Sequence, residues 1–264
     1  MKNVVVIGGG MKENIIASEL GRHVNVMRFE KSVTNEALHL CDTIILPLPA
    51  TDGEYITGTN IRFEDIFRCP GKTVVGGKIP KFFANFNNDF NIIDYAANDA
   101  FAIRNAVPTA EAAISLIIDN TPFTIHGSKC LVTGFGRVGK AIAKRLGYLG
   151  ADVICCLRNL SQIAQAESEG FKVVRYDNYE KFRYDIIINT VPALIFDEQK
   201  LINISPELII DLASLPGGCD FEAAKKLNIK AIHALSLPGK TAPLTAAKII
   251  TDTIIDLLKP PCLK

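Results

Sequence analysis

The sequence of 264 residues has almost no net charge: 29 Lys and Arg against 28 Asp and Glu leave +1 at pH 7. Without an excess of one sign there is no electrostatic footprint for nucleic acid or for an anionic membrane surface, so a small-molecule partner is the better expectation. The seven cysteines include no CxxC pair, which removes the usual signs of a zinc site or a redox motif. They are odd in number, irregularly spaced and mostly set in apolar runs (Cys41, Cys69, Cys130, Cys155, Cys156, Cys219 and Cys262). That usage reads as reduced core thiols of a cytoplasmic protein. No apolar stretch is expected to reach the roughly 18 residues of a membrane span. The start, MKNVVVIGGG, leads from a short apolar run straight into glycines, which does not resemble an export signal. Repeats and low-complexity tracts are also lacking.

What is present is a steady alternation of short β-branched runs with amphipathic stretches, the pattern of a parallel sheet covered by helices on both faces. A first set predicts a strand at Asn3 to Ile7, a helix at Met11 to Leu20, and strands at Val24 to Phe29, Thr43 to Leu46, Thr73 to Val75 and Asn91 to Asp94. In NDAFAIRNAVPTAEAAISLIIDN, the start signal of Pro108 and the spacing of Ala112, Leu116 and Ile117 predict a broken pair of helices ending near Asn120. A second set opens with SKCLVTGFGRVGKAIAKRLGYLGADVICCLRN: strand, glycine-rich turn, helix and strand. Further strands fit Phe171 to Val174, Asp185 to Asn189, Leu208 to Asp211 and Lys230 to His233, completing a doubly wound sheet. The expected fold class is therefore α/β with two Rossmann-like domains. Residues 1–105 form a smaller, flavodoxin-like N-terminal domain, 106–124 a connecting helix, and 125–240 the dinucleotide-binding domain. The helical spacing of Thr241 to Leu258 places a C-terminal helix, 241–264, back on the first domain.

Gly134, Gly136 and Gly139 make GxGxxG between an apolar strand and an amphipathic helix. The first glycine closes the turn, the second lets backbone approach a pyrophosphate, and the third lets helix and strand pack closely. The helix N-terminus, with Arg137 and Val138 in its first turn, would then face the phosphates. At the end of the following strand an acidic residue would mark NAD, by accepting from the ribose 2′-hydroxyl. The sequence there is ADVICCLRN, and Arg158, Asn159 and Ser161 stand where a 2′-phosphate would lie. NADP is favoured, with NAD possible. Gly8 to Gly10 lack the spaced third glycine and read as a strand-end turn lining an interdomain cleft, rather than as a second nucleotide site.

Strand ends at the switch point bring Thr190, Val191 and Pro192 toward the adenosine or pyrophosphate, and Ala213, Ser214 and Leu215 toward the nicotinamide. Leu237 and Pro238 should abut the nicotinamide as the chain leaves the domain. Asp211, at a strand end, would orient backbone or a ribose hydroxyl.

The segments TIHGSKCLVTGFGRVGKAIA, INTVPALI, IIDLASLPGGCDF and ALSLPGKTAPLTAAKII resemble, in order and spacing, the A subunits of bacterial dipicolinate synthases. The resemblance extends more loosely through VPTAEAAI and IILPLPAT. DLASLPGG and LPGKTAP are also similar to parts of alanine dehydrogenase and nicotinamide nucleotide transhydrogenase, in which an Asp stands at the position of Ser214. The resemblance implies an enzyme of endospore-forming bacteria that works during sporulation with a flavoprotein B subunit. It implies the oxidation of dihydrodipicolinate to dipicolinate (pyridine-2,6-dicarboxylate). It also implies a cytoplasmic hetero-oligomer, with self-association of the chain itself. Two other readings stay open: a cofactor-binding scaffold whose chemistry belongs to the flavoprotein, and a dehydrogenase of another amino or imino acid.

Such a reaction moves a hydride to the nicotinamide, releases a proton and needs two carboxylates bound. Lys78 and Arg104 are candidates for the carboxylates, or ordinary surface cations. Glu111 is either a proton acceptor or a first-turn acid of the helix that Pro108 starts. His126 is the general-base candidate by elimination, and both it and His233 read equally as hydrogen-bonded structural histidines. Metal ligation is not expected.

Overall fold

Alternating β-branched residues build the sheets, because successive side chains on a strand point to opposite faces. The computed structural model describes residues 3–81, 83 and 89–258, so Cys262 lies outside the described residues. Two units divide the chain, Met1–Asn105 with Ala242–Lys264, and Ala106–Thr241.

In the first unit β1 (Asn3–Ile7), β2 (Asn25–Phe29), β3 (Thr43–Ile45), β4 (Thr73–Gly76) and β5 (Asn91–Asp94) are all parallel, in the order β2-β1-β3-β4-β5. This is the flavodoxin-like order, with its switch point between β1 and β3. Val5, Ile7, Ile44 and Val74 face one core with Phe63, Ile66, Phe83 and Phe90 and with Leu38 of α2 (Asn35–Leu40). Val4, Val6, Ile45 and Val75 face the other, against Ile16 and Leu20 of α1 (Met11–Leu20). Ala247, Ile250 and Ile254 of the C-terminal helix join that second core. The chain thus returns to its first unit, as its apolar spacing predicts.

One helix departs from expectation. Residues Asp99–Asn120 form a single helix, α3, with Pro108 inside it, where a break and a connecting helix from 106 were expected. An interior proline removes one helical hydrogen bond and costs roughly 3 kcal/mol or more. Ala106, Ala110, Ala113 and Ile117 are buried on either side of it, so packing of this face outweighs the proline. Arg104, whose carbonyl loses its donor, is exposed, so water can replace the lost partner. Against the expected lack of long apolar stretches, α3 is long and apolar enough to cross a membrane by length and composition alone. In the structure 44% of its most apolar window is buried within the protein.

The second unit holds β6 (Lys129–Thr133), β7 (Asp152–Leu157), β8 (Lys172–Arg175), β9 (Ile186–Asn189), β10 (Leu208–Asp211) and β11 (Lys230–His233). They are parallel, in the order β11-β10-β9-β6-β7-β8. Read from the other edge this is the 3-2-1-4-5-6 order of the doubly wound dinucleotide-binding sheet. The helices are α4 (Arg137–Tyr148), α5 (Leu160–Ser168), α6 (Glu198–Ile204), α7 (Phe221–Lys226) and α8 (Leu237–Thr241), followed by α9 (Pro243–Leu258) in the first unit. Both faces of the sheet are covered: Val132, Ile188 and Ile210 pack into one core and Leu131, Ile187 and Ile209 into the other.

Replacing Ile250 by Ala should cost about 2–5 kcal/mol, because its side chain is 2% exposed in the core shared with α1. Urea unfolding of the full chain reads this loss, and an unchanged curve would mean that α9 does not contribute to that core.

Candidate cofactor site

Where the strand order reverses, between β6 and β9, the carboxyl edge of the sheet opens a crevice of the kind that binds ligands in α/β folds. From Thr133 the chain turns through Gly134, at φ +81°, into α4. A Cβ on Gly134 would lie 2.9 Å from Thr190 Oγ1, and one on Gly139 would lie 2.2 Å from the Gly134 carbonyl oxygen. Glycine is therefore required at both positions by contact with fixed atoms. Gly136 caps α4 without any side-chain acceptor, whereas Asn159, Asp197 and Asp220 cap α5, α6 and α7. The positive end of α4 is thus left without a cap of the chain's own, which suits a phosphate.

A cavity of about 320 Å³ lies against this turn, lined by Gly134, Gly136, Leu157, Arg158, Asn159, Gln162, Tyr176, Thr190, Val191 and Pro192. Seven of these were expected from the sequence. Leu157, Gln162 and Tyr176 were not, although Tyr176 follows the third strand of the classical order and could have been sought there. Burial and the neighbouring Cys156 push the Tyr176 phenol up to about 12, while the charge of Arg158 opposes them. Asn159 Oδ1 accepts from the N–H of Ser161 at 2.9 Å, the Ser161 hydroxyl at 2.7 Å and the N–H of Gln162 at 3.3 Å. Asn159 and Ser161 therefore shape the start of α5, leaving Arg158 as the cation of the cavity wall.

Beneath the cavity runs a buried polar network. Asp211 has no exposed surface, and its Oδ1 accepts from Asn189 Nδ2 at 2.7 Å and Ala213 N at 3.0 Å. Its Oδ2 accepts from Gly218 N at 2.6 Å. Asn189 Oδ1 accepts from Thr133 Oγ1 at 2.5 Å and Val191 N at 3.1 Å, while Thr190 Oγ1 donates to the Thr133 carbonyl at 2.6 Å. Asp211 thereby orients the backbone on which the 190–192 and 212–218 turns hang. Its oxygens are directed inward, to these donors, rather than to a ribose. No sequence signal marks Asn189 as its partner, since the pairing depends on strand register.

Other candidates are spread more widely. Ser214 is exposed and Ala213 buried in the turn after β10, while Leu237 is buried and Pro238 half-buried at the start of α8. Arg137 and Val138 lie in the first turn of α4. Glu111 lies far inside α3 rather than in a first turn, with its side chain 64% exposed and 3.7 Å from Arg145. The first-turn role considered for it does not fit that position. His126 is exposed and packs at Gly150, before β6 begins, so it stands at the amino edge of the sheet, opposite the cavity. That geometry does not suit a general base for this site. His233 stacks on Phe221 and its Nε2 donates to the Ala213 carbonyl at 2.9 Å, a structural histidine. Lys78 and Arg104, both exposed, belong to the first unit. The six described cysteines are free and buried, and burial pushes the thiols of Cys155, Cys156 and Cys219 up to about 12. They are not poised as nucleophiles.

Residues 116–207 match the family described as D-isomer specific 2-hydroxyacid dehydrogenase, NAD binding domain. The A subunit of dipicolinate synthase from Bacillus subtilis (strain 168) is 35% identical over 237 residues, which are 82% of this chain and 77% of that protein. The chain belongs to the family of dipicolinate synthase A subunits. Two crystal structures of that family share its fold. The one from Bacillus halodurans matches with a TM-score of 0.88 at 29% identity, over 98% of both chains. The one from Bacillus subtilis matches with a TM-score of 0.87 at 31% identity, over 97% of this chain and 95% of the other. D-Lactate dehydrogenase of Escherichia coli, at 14% identity and a TM-score of 0.65, shows the shared fold alone. A nicotinamide-cofactor domain of dehydrogenase type within this family agrees with the glycine turn, the uncapped α4 and the adjoining cavity.

Gly139→Ala should cost about 1–3 kcal/mol by overpacking and should lower nicotinamide cofactor affinity at least about tenfold. Thermal unfolding and calorimetric titration measure the two effects, and wild-type affinity in the variant would remove Gly139 from the cradle.

Proposed function

We propose that the chain acts as the A component of a dipicolinate synthase and oxidises dihydrodipicolinate to dipicolinate with NADP. It would do so in the cytoplasm of a sporulating cell, as part of a hetero-oligomer with a flavoprotein B subunit, in which the chain also self-associates. The observation that carries this reading is the likeness over the whole chain to dipicolinate synthase A subunits, since the dehydrogenase fold by itself is shared by many activities.

Gly134, Gly136 and the first turn of α4, with Arg137, Val138 and Gly139, would hold the cofactor pyrophosphate. Thr190, Val191 and Pro192 would border the adenosine, and Ala213, Ser214, Leu237 and Pro238 the nicotinamide end. When bound, the nicotinamide supplies the hydride acceptor. Lys78 and Arg104 remain the cations for the two substrate carboxylates. Aromatisation of the ring favours the forward direction.

NADP is supported by the wall of the cavity, in which Arg158 stands at the end of β7 and no acidic side chain takes part among the described residues. A guanidinium meets a phosphate with charge-assisted hydrogen bonds, whereas NAD presents only a hydroxyl there. Arg158→Ala should weaken NADP binding about 10- to 100-fold, the loss of one charged hydrogen-bonded contact, and leave NAD nearly unchanged. Parallel titrations with both cofactors check this, and equal losses would end the case for NADP.

A second reading has one observation in its favour: the cavity is lined by no carboxylate and no histidine among the described residues. It makes the chain a cofactor-binding scaffold whose flavoprotein partner supplies the chemistry. The deciding experiment mixes the purified chain with NADP or NAD and freshly generated dihydrodipicolinate, with and without the flavoprotein, and follows reduced cofactor and dipicolinate together. Equal formation of both by the chain alone is the expected result. Formation only with the partner would support the scaffold or joint-site reading, and formation of neither would overturn the substrate.

A further inference from the structure

The end of β7 and the first turn of α5 form one corner of the cofactor cavity, and Arg158 and Gln162 both line it there. In a doubly wound sheet this corner faces the 2′ position of the adenosine ribose, which the residue after the second strand of the classical order meets. A phosphate at that position carries several acceptor oxygens pointing in different directions, and one guanidinium approaches from a single side. The corner therefore has room for a further donor.

The backbone of α5 does not supply it. Asn159 caps the helix, and its Oδ1 accepts from the N–H of Ser161 at 2.9 Å, the N–H of Gln162 at 3.3 Å and the Ser161 hydroxyl at 2.7 Å. These donors are already engaged within the chain. Asn159 and Gln162 have the N-x-x-Q spacing of a capping box, in which the second side chain returns to accept from the N–H of the first. Among the described residues that return bond is not made, and Gln162 meets Asn159 through its backbone N–H alone. Gln162 is half-buried and lines the cavity instead. A carboxamide outside the helix cap keeps two N–H donors for another partner.

The neighbouring wall is aromatic and fixed in place. Leu157 pairs with Arg175 across β7 and β8, so the next residues, Arg158 and Tyr176, stand side by side at adjacent strand ends. The Tyr176 ring meets Tyr179 edge-on, with centroids 6.2 Å apart, and the buried Tyr179 is anchored by its hydroxyl, which donates to the Ile195 carbonyl at 2.8 Å. A phosphate entering this corner is bounded by that ring and faces Arg158 and Gln162. The cavity wall holds no carboxylate among the described residues to oppose its charge.

We propose that Gln162 is a specificity-determining residue, its carboxamide donating to the 2′-phosphate of NADP alongside the Arg158 guanidinium. The inference rests on the NADP reading above and extends it from one cation to a pair of donors. Because the carboxamide is neutral, position 162 is also a place where the preference can be strengthened by adding a charge.

The test is calorimetric titration of the full-length chain with NADP, and separately with NAD, for wild type, Gln162→Leu, Gln162→Lys and Arg158→Ala. Gln162→Leu removes the donors without altering charge and should weaken NADP binding about tenfold, the loss of one hydrogen bond to a charged acceptor, with NAD unchanged. Gln162→Lys should tighten NADP binding about 2- to 5-fold, as an exposed ion pair does, again with NAD unchanged. A residue that only shapes the start of α5 would alter both cofactors together or neither. Wild-type NADP affinity in Gln162→Leu, or equal losses for the two cofactors, would overturn the role of Gln162, and a loss confined to NADP in Arg158→Ala would then keep the NADP reading standing. Wild-type chain that binds NAD as tightly as NADP would overturn the NADP reading, and this inference with it.

Discussion

The carboxylate of Asp211 is entirely withdrawn from water, and what keeps it there is a set of donors from two separate pieces of chain. A buried charge is tolerable only when its lone pairs are used, so the backbone of the 212–218 turn and the amide of Asn189 must come to it. Asn189 in turn receives the Thr133 hydroxyl, which ties the end of β6 to the ends of β9 and β10. The cofactor cavity lies directly on these strand ends. Its floor is therefore set by one side chain that lines no part of it, and removing that side chain would leave the N–H groups of Ala213 and Gly218 without an acceptor.

The two glycine turns of the chain show how much one position decides. Gly139 leaves room for the carbonyl of Gly134 and keeps the start of α4 open, whereas Glu13, at the matching place, fills the turn before α1 with the chain's own carboxylate. Both units are open parallel sheets with a switch point, and the same backbone device is left open in one and filled by an internal anion in the other. Lys12 beside Glu13 keeps the local charge balanced, as a nearly buried carboxylate requires.

Much of this is legible in the residues alone, for identifiable reasons. Val, Ile and Cys runs between glycine turns mark buried parallel strands, so both sheets were legible, and the fixed spacing of Gly134, Gly136 and Gly139 made the tight turn into α4 legible as well. The unbroken α3 was not, because a proline ahead of a helical run reads locally as a helix start. Only the buried face on either side of Pro108 shows that the helix continues. Tyr176 was missed as a cavity-lining residue, and the bonds of Asn189 and Gly218 to Asp211 were missed since they depend on strand order and register. Glu111 and His126 were plausible by residue type alone, and the fold places one on a helix surface and the other at the wrong edge of the sheet.

The return of α9 to the first unit also bears on the order in which the protein is completed during synthesis. Domains generally fold as units while the chain emerges, the N-terminal one first. Here the second unit is encoded without interruption from Ala106 to Thr241, while the first needs Ala247, Ile250 and Ile254 to close one face of its sheet. The unit that leaves the ribosome first is thus the last to be finished. Until the final turns of α9 are released, the apolar side of β1, β3 and β4 beside α1 stands partly uncovered, in the keeping of whatever shields nascent chains.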